Sequence, residues 1–174
     1  MKKLISQGIV AAVMLAPLGF AADVVTAVHG TITKVDSATK TVVVKTADGT
    51  EHTVKVVTKT TVHGTDAGAK DTFHGLKEGT EVVAHYTVKG TEKTATEFDK
   101  VGKDGIKETD GTVTKIDHGA KTVAVKTADG TEQTFKMTAH AGEDIGKGVE
   151  KSAKVSVYYT EEAGKKIAHF FETH

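Results

Sequence analysis

The 174-residue chain has no cysteine and no tryptophan, and only 5% of its residues are aromatic. The lack of cysteine excludes a disulfide framework, a thiolate zinc site and a cysteine nucleophile. Its 23 basic and 23 acidic side chains balance, so there is no net field to attract nucleic acid or an anionic membrane surface. The composition is otherwise that of a globular protein, whose stability must come from apolar burial and sheet hydrogen bonds.

Residues 1–21 have the pattern of a secretory signal peptide. Lys2 and Lys3 precede an apolar run over residues 4–20, and small residues occupy positions 19 and 21, ahead of the expected cleavage site. A retained membrane anchor needs about 20 apolar residues with few interruptions, and Pro17 breaks this shorter run. We therefore expect a periplasmic or secreted protein that does not insert into the membrane after cleavage.

The remaining chain contains the same pattern twice. The sequence GTITKVD at 30–36 returns as GTVTKID at 111–117, and VKTADGTE at 44–51 returns unchanged at 125–132. A duplication of this length predicts two small domains rather than a solenoid, which needs three or more shorter units. We assign residues 22–99 to the first repeat, the polar segment 100–109 to a linker, and residues 110–174 to the second repeat.

Each copy is rich in Thr and Val, which favour strands, and turn signals recur at the spacing of all-β domains. The Asp-Gly pairs at 48–49 and 129–130 are strong hairpin signals, because Gly readily takes the positive φ that a tight turn requires. We predict five strands in the first copy, at about 29–36, 40–46, 51–57, 81–88 and 92–98. The sequence thus predicts an all-β protein of two tandem five-stranded OB-like barrels, with a small open sandwich as the alternative.

Differences between the copies indicate which faces are buried. Val42 and Val44 are kept as valine in the second copy, whereas Val43 becomes alanine, so the face with Val42 and Val44 is the predicted core face. In the fourth strand, Val82, Ala84 and Tyr86 should point inward. His85 alternates with them and becomes tyrosine in the second copy, so we expect it to face solvent.

The motif GTITKVD, the following KTVVVK and the later segment FHGLKEGTEV at 73–82 resemble the exported bacterial small-barrel domains of unknown function called the DUF5666-like group. The resemblance implies an OB-like barrel and an exported protein. It covers the first copy almost fully and the second copy less well, because Ser152 replaces Gly79. That group brings no assigned activity.

The nine histidines are the most unusual polar feature of the sequence. They are candidate metal ligands, because imidazole suits borderline transition metals. Most of them have no histidine counterpart in the other copy. Aligning Thr61-Val62-His63 with Thr138-Ala139-His140, however, gives a His-x-x-acid pair in each copy. In the first copy, the candidate ligand set for copper, zinc or nickel is His63, Asp66, Asp71 and His74. The competing interpretation is that these are solvated loop residues.

The sequence gives little support for a catalytic, nucleotide-binding or nucleic-acid-binding site. No serine lies in a Gly-x-Ser-x-Gly elbow, and no glycine-rich loop has nucleotide-binding spacing, so we expect no enzyme. Single-stranded nucleic acid needs a basic groove with exposed aromatic platforms, which a neutral chain with core-facing aromatics does not offer.

Phe170 stands where the first copy has Glu97, which suggests an exposed aromatic on the last strand. It would either pack the two domains together or dock a partner. Taken together, the sequence predicts an exported, non-enzymatic binding or structural module of the cell envelope with no required cofactor. Its partner would be an envelope protein or a small ligand, and the alternative is a periplasmic metal-binding protein that uses loop histidines.

Overall fold

The computed structural model describes residues 25–64, 73, 75–145 and 147–174. The predicted signal peptide at 1–21 and the predicted ligands Asp66, Asp71 and His74 lie outside the described residues. Within these residues, the first unit has six strands: β1 (Val25–Asp36), β2 (Thr41–Lys45), β3 (Glu51–Lys55), β4 (Thr61–His63), β5 (Glu81–Lys89) and β6 (Glu92–Lys100).

The second unit repeats this order, except that a short helix stands where the first unit has β4. Its elements are β7 (Lys107–Asp117), β8 (Thr122–Lys126), β9 (Glu132–Met137), α1 (Ala139–Asp144), β10 (Lys154–Glu162) and β11 (Lys165–Thr173). Of the residues predicted as linker, Lys100 ends β6 and Lys107 begins β7, so residues 101–106 connect the units.

The second unit is a closed five-stranded barrel. β7, β8 and β9 form an antiparallel meander, β10 returns to pair with β7, and β11 closes the barrel by pairing in parallel with β9. The first unit has the same connectivity, with β3 and β6 meeting in parallel at Lys55 and Thr94. The predicted tandem of OB-like barrels is therefore confirmed. The short strand β4, which the sequence analysis did not anticipate, extends this sheet along β6.

The predicted core faces are confirmed. Val42, Val44, Val82, Ala84 and Tyr86 all lie in the core of the first barrel. A matching cluster fills the second barrel around Val123, Val125, Phe135, Val157 and Phe171. Alternation along each strand thus sends one row of side chains into the barrel, as a period of two requires.

The predicted Asp-Gly hairpins also form. Gly49 has φ +87° and Gly130 has φ +85°. The Asp48 carboxylate accepts a hydrogen bond from the Thr50 backbone amide at 2.9 Å, and Asp129 does the same for Thr131 at 3.0 Å. These contacts fix the register of the β2–β3 and β8–β9 hairpins.

The strands β5 and β10 are buried on both faces. Residues 82–86 of β5 and 155–159 of β10 are buried without interruption, because the face that points away from each barrel lies against the other unit. A third apolar cluster joins the units there, with Val83 from β5, Ile106 from the connector, Tyr158 from β10 and Phe170 from β11.

Two sequence-based expectations are wrong for this reason. His85 was expected to face solvent but is only 1% exposed, and Phe170 was expected to be exposed but is only 8% exposed. The alternation that placed His85 on the outer face of its barrel was correct. The second unit covers that face, so Phe170 packs the two domains together, which was one of its two predicted roles.

Candidate metal centre

Three strands bring a group of histidines and carboxylates together between the two barrels. Glu97 and Asp99 lie two residues apart on β6 and so share one face of the strand. β4 runs parallel to β6 and places His63 opposite Asp99 in the ladder. β11 of the second unit supplies His169.

The donor atoms of these four residues converge. His63 Nδ1 lies 2.8 Å from Asp99 Oδ1 and 3.0 Å from Glu97 Oε1. His169 Nδ1 lies 3.6 Å from Asp99 Oδ2 and 3.9 Å from Glu97 Oε1. With one donor atom from each residue, all four atoms lie within 4.8 Å of one another. Across the residues described, this is the only such group of histidine and acidic side chains.

These separations match the ligand shell of a small ion. Four ligands held about 2.1 Å from a tetrahedral metal lie about 3.4 Å from one another. The four distances, from 2.8 to 3.9 Å, fall on both sides of that value. The shortest, from His63 to Asp99, is also a hydrogen bond, and His63 and His169 approach different oxygens of Asp99. The set offers two imidazole nitrogens and two carboxylate oxygens, a mixture that suits borderline divalent metals.

Two further histidines surround the centre. His140, at the start of α1, places Nδ1 3.1 Å from Glu97 Oε2. His85 places Nε2 3.6 Å from Asp99 Oδ2, and its ring stacks on that of His140 with centroids 4.9 Å apart. Glu97 therefore has an oxygen hydrogen-bonded by a histidine outside the four-residue group, a contact of the kind that orients metal ligands.

Asp99 is the most deeply buried member. Its side chain is 0% exposed, and Asp99 Oδ2 and His85 Nε2 are the two fully buried side-chain polar atoms without a hydrogen bond among the residues that the structure describes. An unsatisfied buried polar group costs about 1–3 kcal/mol, and more when it is charged. Asp99 Oδ2 instead lies 3.6 Å from both His169 Nδ1 and His85 Nε2, so two histidine rings face this oxygen without forming a hydrogen bond to it.

The electrostatics favour ionised carboxylates. Burial by itself would raise the pKa of Asp99 and of Glu97, but the histidines facing them, His169 first, outweigh burial and lower both values. Burial has the opposite effect on a histidine and by itself would lower the pKa of His169, but the contacts of His169 with Asp99 and Glu97 raise that pKa to about 9. Both oxygen ligands are therefore charged at neutral pH, and His169 holds a proton that a metal ion must displace to bind its nitrogen.

The sequence identified part of this group. His63 lies in it, and His140, its counterpart in the other repeat, contacts the same glutamate. The sequence analysis missed Glu97, Asp99 and His169. The available signal was the alternation of Glu97 and Asp99 around the core residue Phe98, which places both acids on the outer face of β6.

A second polar group lies on β7 and β10. Ser156 Oγ donates to Asp110 Oδ1 at 2.5 Å and lies 2.8 Å from His174 Nε2. A hydrolytic triad places the histidine between the serine and the acid, whereas here the serine lies between the other two. This group therefore lacks an acid-oriented general base for the serine.

No family model matches the chain, and no curated protein matches it. Among solved structures, it is similar to Drosophila Unr CSD456, with a TM-score of 0.36 and 12% sequence identity. The match covers 88% of this chain and 62% of that one, so the chain spans less than two thirds of the matched structure. Within the described residues, no helix has the length and apolarity to cross a membrane.

Proposed function

We propose that this protein binds one divalent transition-metal ion, with Zn²⁺ as the primary candidate and Cu²⁺ and Ni²⁺ as alternatives. The ligands are His63, Glu97, Asp99 and His169. The observation that carries the proposal is the buried Asp99 Oδ2, which has no hydrogen-bond partner and lies 3.6 Å from His169 Nδ1 in a group of four converging donors.

The donor types narrow the choice of ion. Ca²⁺ and Mg²⁺ prefer all-oxygen shells of six or more ligands, whereas half of this set is imidazole. Cu⁺ prefers thiolate and thioether sulfur, but the chain has no cysteine. The one methionine after the predicted signal peptide, Met137, has its thioether buried in the core of the second barrel, so the proposed ligand group contains no sulfur. Mixed nitrogen and oxygen donors in a four-ligand site are typical of Zn²⁺.

The setting of this function is also a proposal. We propose that the protein is exported, on the basis of the signal-peptide pattern at 1–21, and that it acts as a binding module without catalysis. The motifs GTITKVD and FHGLKEGTEV support a relationship to the DUF5666-like group. Metal binding is then the specific form of the broader envelope binding role that the sequence suggests.

Calorimetric titration of the full mature chain with Zn²⁺, Cu²⁺ and Ni²⁺ tests the proposal. We expect one ion per chain, and we expect His169→Ala and Asp99→Asn each to weaken binding by about 100-fold or more, since even groups outside the ligand shell contribute 10- to 100-fold. His118→Ala is the matched control, because His118 is exposed and outside the group. Equal affinities for the wild type and the two ligand variants would contradict the proposal.

Spectroscopy identifies the ligands independently of affinity. Co²⁺ bound in place of Zn²⁺ should give the intense visible bands of a four-coordinate site. Cu²⁺ should show hyperfine coupling to two imidazole nitrogens in the wild type and to one in His169→Ala. A spectrum without nitrogen coupling would exclude the proposed site.

A further inference from the structure

The ligands of the proposed centre come from both barrels. His63, Glu97 and Asp99 belong to strands of the first unit, and His169 belongs to the last strand of the second. An ion bound by all four would therefore connect two parts of the chain that are otherwise joined covalently through residues 101–106.

The apolar contact between the units is small. In the described residues, the cluster between the units has four buried side chains, whereas the core cluster of each barrel has twelve. Apolar burial contributes roughly in proportion to its area, so each barrel is held together much more strongly than the pair of barrels. Among the contacts in the structure, those between the units are therefore the ones most easily lost.

The rest of the interface is strongly polar. On the far side from the metal centre, His29 of the first unit lies 3.2 Å from Glu172 and 2.9 Å from the Tyr158 hydroxyl of the second. At the centre itself, the half-buried Glu97 and the buried Asp99 face His140 and His169. Burying Asp99 Oδ2 and His85 Nε2 without a hydrogen bond costs free energy on docking, and the contact of Asp99 with His169 at 3.6 Å offsets part of that cost.

A bound ion favours the docked arrangement of the two units over the separated one. It supplies a positive charge to the unpartnered oxygen of Asp99 and forms a bond to His169 from the opposite unit. A ligand that binds one arrangement of a molecule and not another shifts the population toward that arrangement by its difference in affinity. Separated units present at most three of the four ligands, so the docked arrangement binds the ion more tightly.

Building on the proposed metal site, we propose that the bound ion is a latch that fixes the relative orientation of the two barrels, and that its loss allows them to separate about the connector. Binding would thus be reported as a change in the arrangement of the domains. The connector contains Gly102 at φ +119°, a conformation that glycine adopts freely.

The experiment measures the distance between the units. Because the chain has no cysteine, Thr58→Cys and Ala128→Cys introduce one spin label on an exposed turn of each unit. Pulsed electron resonance, which diamagnetic Zn²⁺ does not disturb, then gives the distance distribution with and without the ion. Calorimetry on the same labelled protein records whether Zn²⁺ has bound.

With Zn²⁺, we expect one narrow distance, and without it a broader distribution with an added long component. The ratio of docked to separated molecules should rise by about 5- to 150-fold, the usual range for coupled equilibria. His169→Ala in the labelled chain should bind Zn²⁺ more weakly, and Zn²⁺ should not narrow its distribution of label-to-label distances. His118→Ala should behave as the wild type does.

Two results overturn the latch. If Zn²⁺ binds by calorimetry but leaves the distance distribution unchanged, the latch is wrong and the metal site stands. If Zn²⁺ does not bind, both proposals fail. Circular dichroism of each variant verifies that the barrels are folded. Glu97→Gln, which keeps the strand shape and removes a ligand of the first unit, should also lose the narrowing at Zn²⁺ concentrations that saturate the wild type.

Discussion

Glu97 and Phe170 occupy equivalent positions on the last strands of the two copies, but Glu97 joins the polar group between the units and Phe170 joins the apolar one. The outer faces of the two barrels thus diverged while the inner faces stayed alike. The polar and apolar parts of the interface lie side by side, since the His85 ring is 4.9 Å from that of His140 and 6.3 Å from that of Phe170.

The first prediction concerns Phe170. Truncating a buried phenylalanine usually costs about 3–5 kcal/mol, and we expect Phe170→Ala to lose the lower end of that range because Phe170 is outside the barrel cores. Zn²⁺ affinity should fall as well, since His169 is its neighbour in β11. Urea unfolding and calorimetry measure the two effects. Val88→Ala is the control, because Val88 is 47% exposed and should change stability by less than about 0.5 kcal/mol. Equal stabilities of the two variants would contradict the interface role.

The second prediction concerns Zn²⁺ removal. An ion that binds only the folded state stabilises it by about 2.7 kcal/mol at a free concentration 100 times its Kd. Adding a chelator should therefore lower the melting temperature of the wild type by several degrees. His169→Ala should melt at the same temperature with and without the chelator, because the ion site is incomplete. A chelator effect of equal size in both proteins would point to ions bound elsewhere.

The third prediction concerns the turn that precedes β5 in the first unit and β10 in the second. Gly79 has φ +81°, and Ser152, its counterpart, has φ +75°. A side chain in this region costs about 1–2 kcal/mol, and a Cβ at Gly79 meets no atom within 4 Å, so backbone strain is the main cost. Gly79→Ser should destabilise the first unit by about 1 kcal/mol, and Ser152→Gly should stabilise the second by a smaller amount, because glycine also loosens the unfolded chain. Urea midpoints that move the other way would contradict this account.

The fourth prediction separates steric from conformational roles of glycine. A Cβ on Gly30 would lie 2.4 Å from the backbone oxygen of Lys45, whereas a Cβ on Gly49 would meet nothing within 4 Å. Gly30→Ala must push β1 away from β2, so we expect the loss of several kcal/mol that is typical of disrupted cores. Gly49→Ala should cost about 1 kcal/mol, from its positive φ alone. Thermal unfolding compares the two variants, and a larger loss for Gly49→Ala would refute the steric argument.

The fifth prediction concerns Asp144 and pH. Burial raises the pKa of Asp144 from 3.8 to about 6, although the Phe171 backbone amide partly opposes the shift. The folded state therefore holds this proton more tightly than the unfolded state, so the contribution of Asp144 to stability is largest below about pH 4 and decreases up to about pH 6. Asp144→Asn removes that decrease and keeps an oxygen to accept the amide hydrogen bond.

Relative to the wild type, Asp144→Asn should become more stable as the pH rises from 4 to 7. The gain is at most about 3 kcal/mol, since one pKa unit corresponds to about 1.4 kcal/mol. Urea unfolding at a series of pH values measures it, and Asp104→Asn on the exposed connector is the control. A difference between variant and wild type that is constant over this range would contradict the assigned pKa.

Local patterns predicted most of the fold. The alternation of Val82, Ala84 and Tyr86 and the Asp48-Gly49 turn depend on neighbours in the sequence, so the strands, hairpins and core faces could be inferred. The short strand β4 could not, because three residues carry too little periodicity to be recognised.

The candidate site was harder to predict because it depends on how two units dock. His63 and His140 drew attention through their equivalence in the repeat, which is a sequence signal. Glu97 and Asp99 look like ordinary surface acids on β6, and His169 has no histidine counterpart in the first copy. Only the packing of β5 against β10 and β11 brings these outer-face residues together around the buried Asp99.

The chain order of the strands has a consequence for biogenesis. All strands of the first barrel are complete at Lys100, so this barrel can close while the rest of the chain is still emerging. His169 comes 106 residues after His63, and it lies on the strand that closes the second barrel. A newly made chain can therefore assemble most of its scaffold first and complete the proposed ion site last, which would place metal loading at the end of maturation.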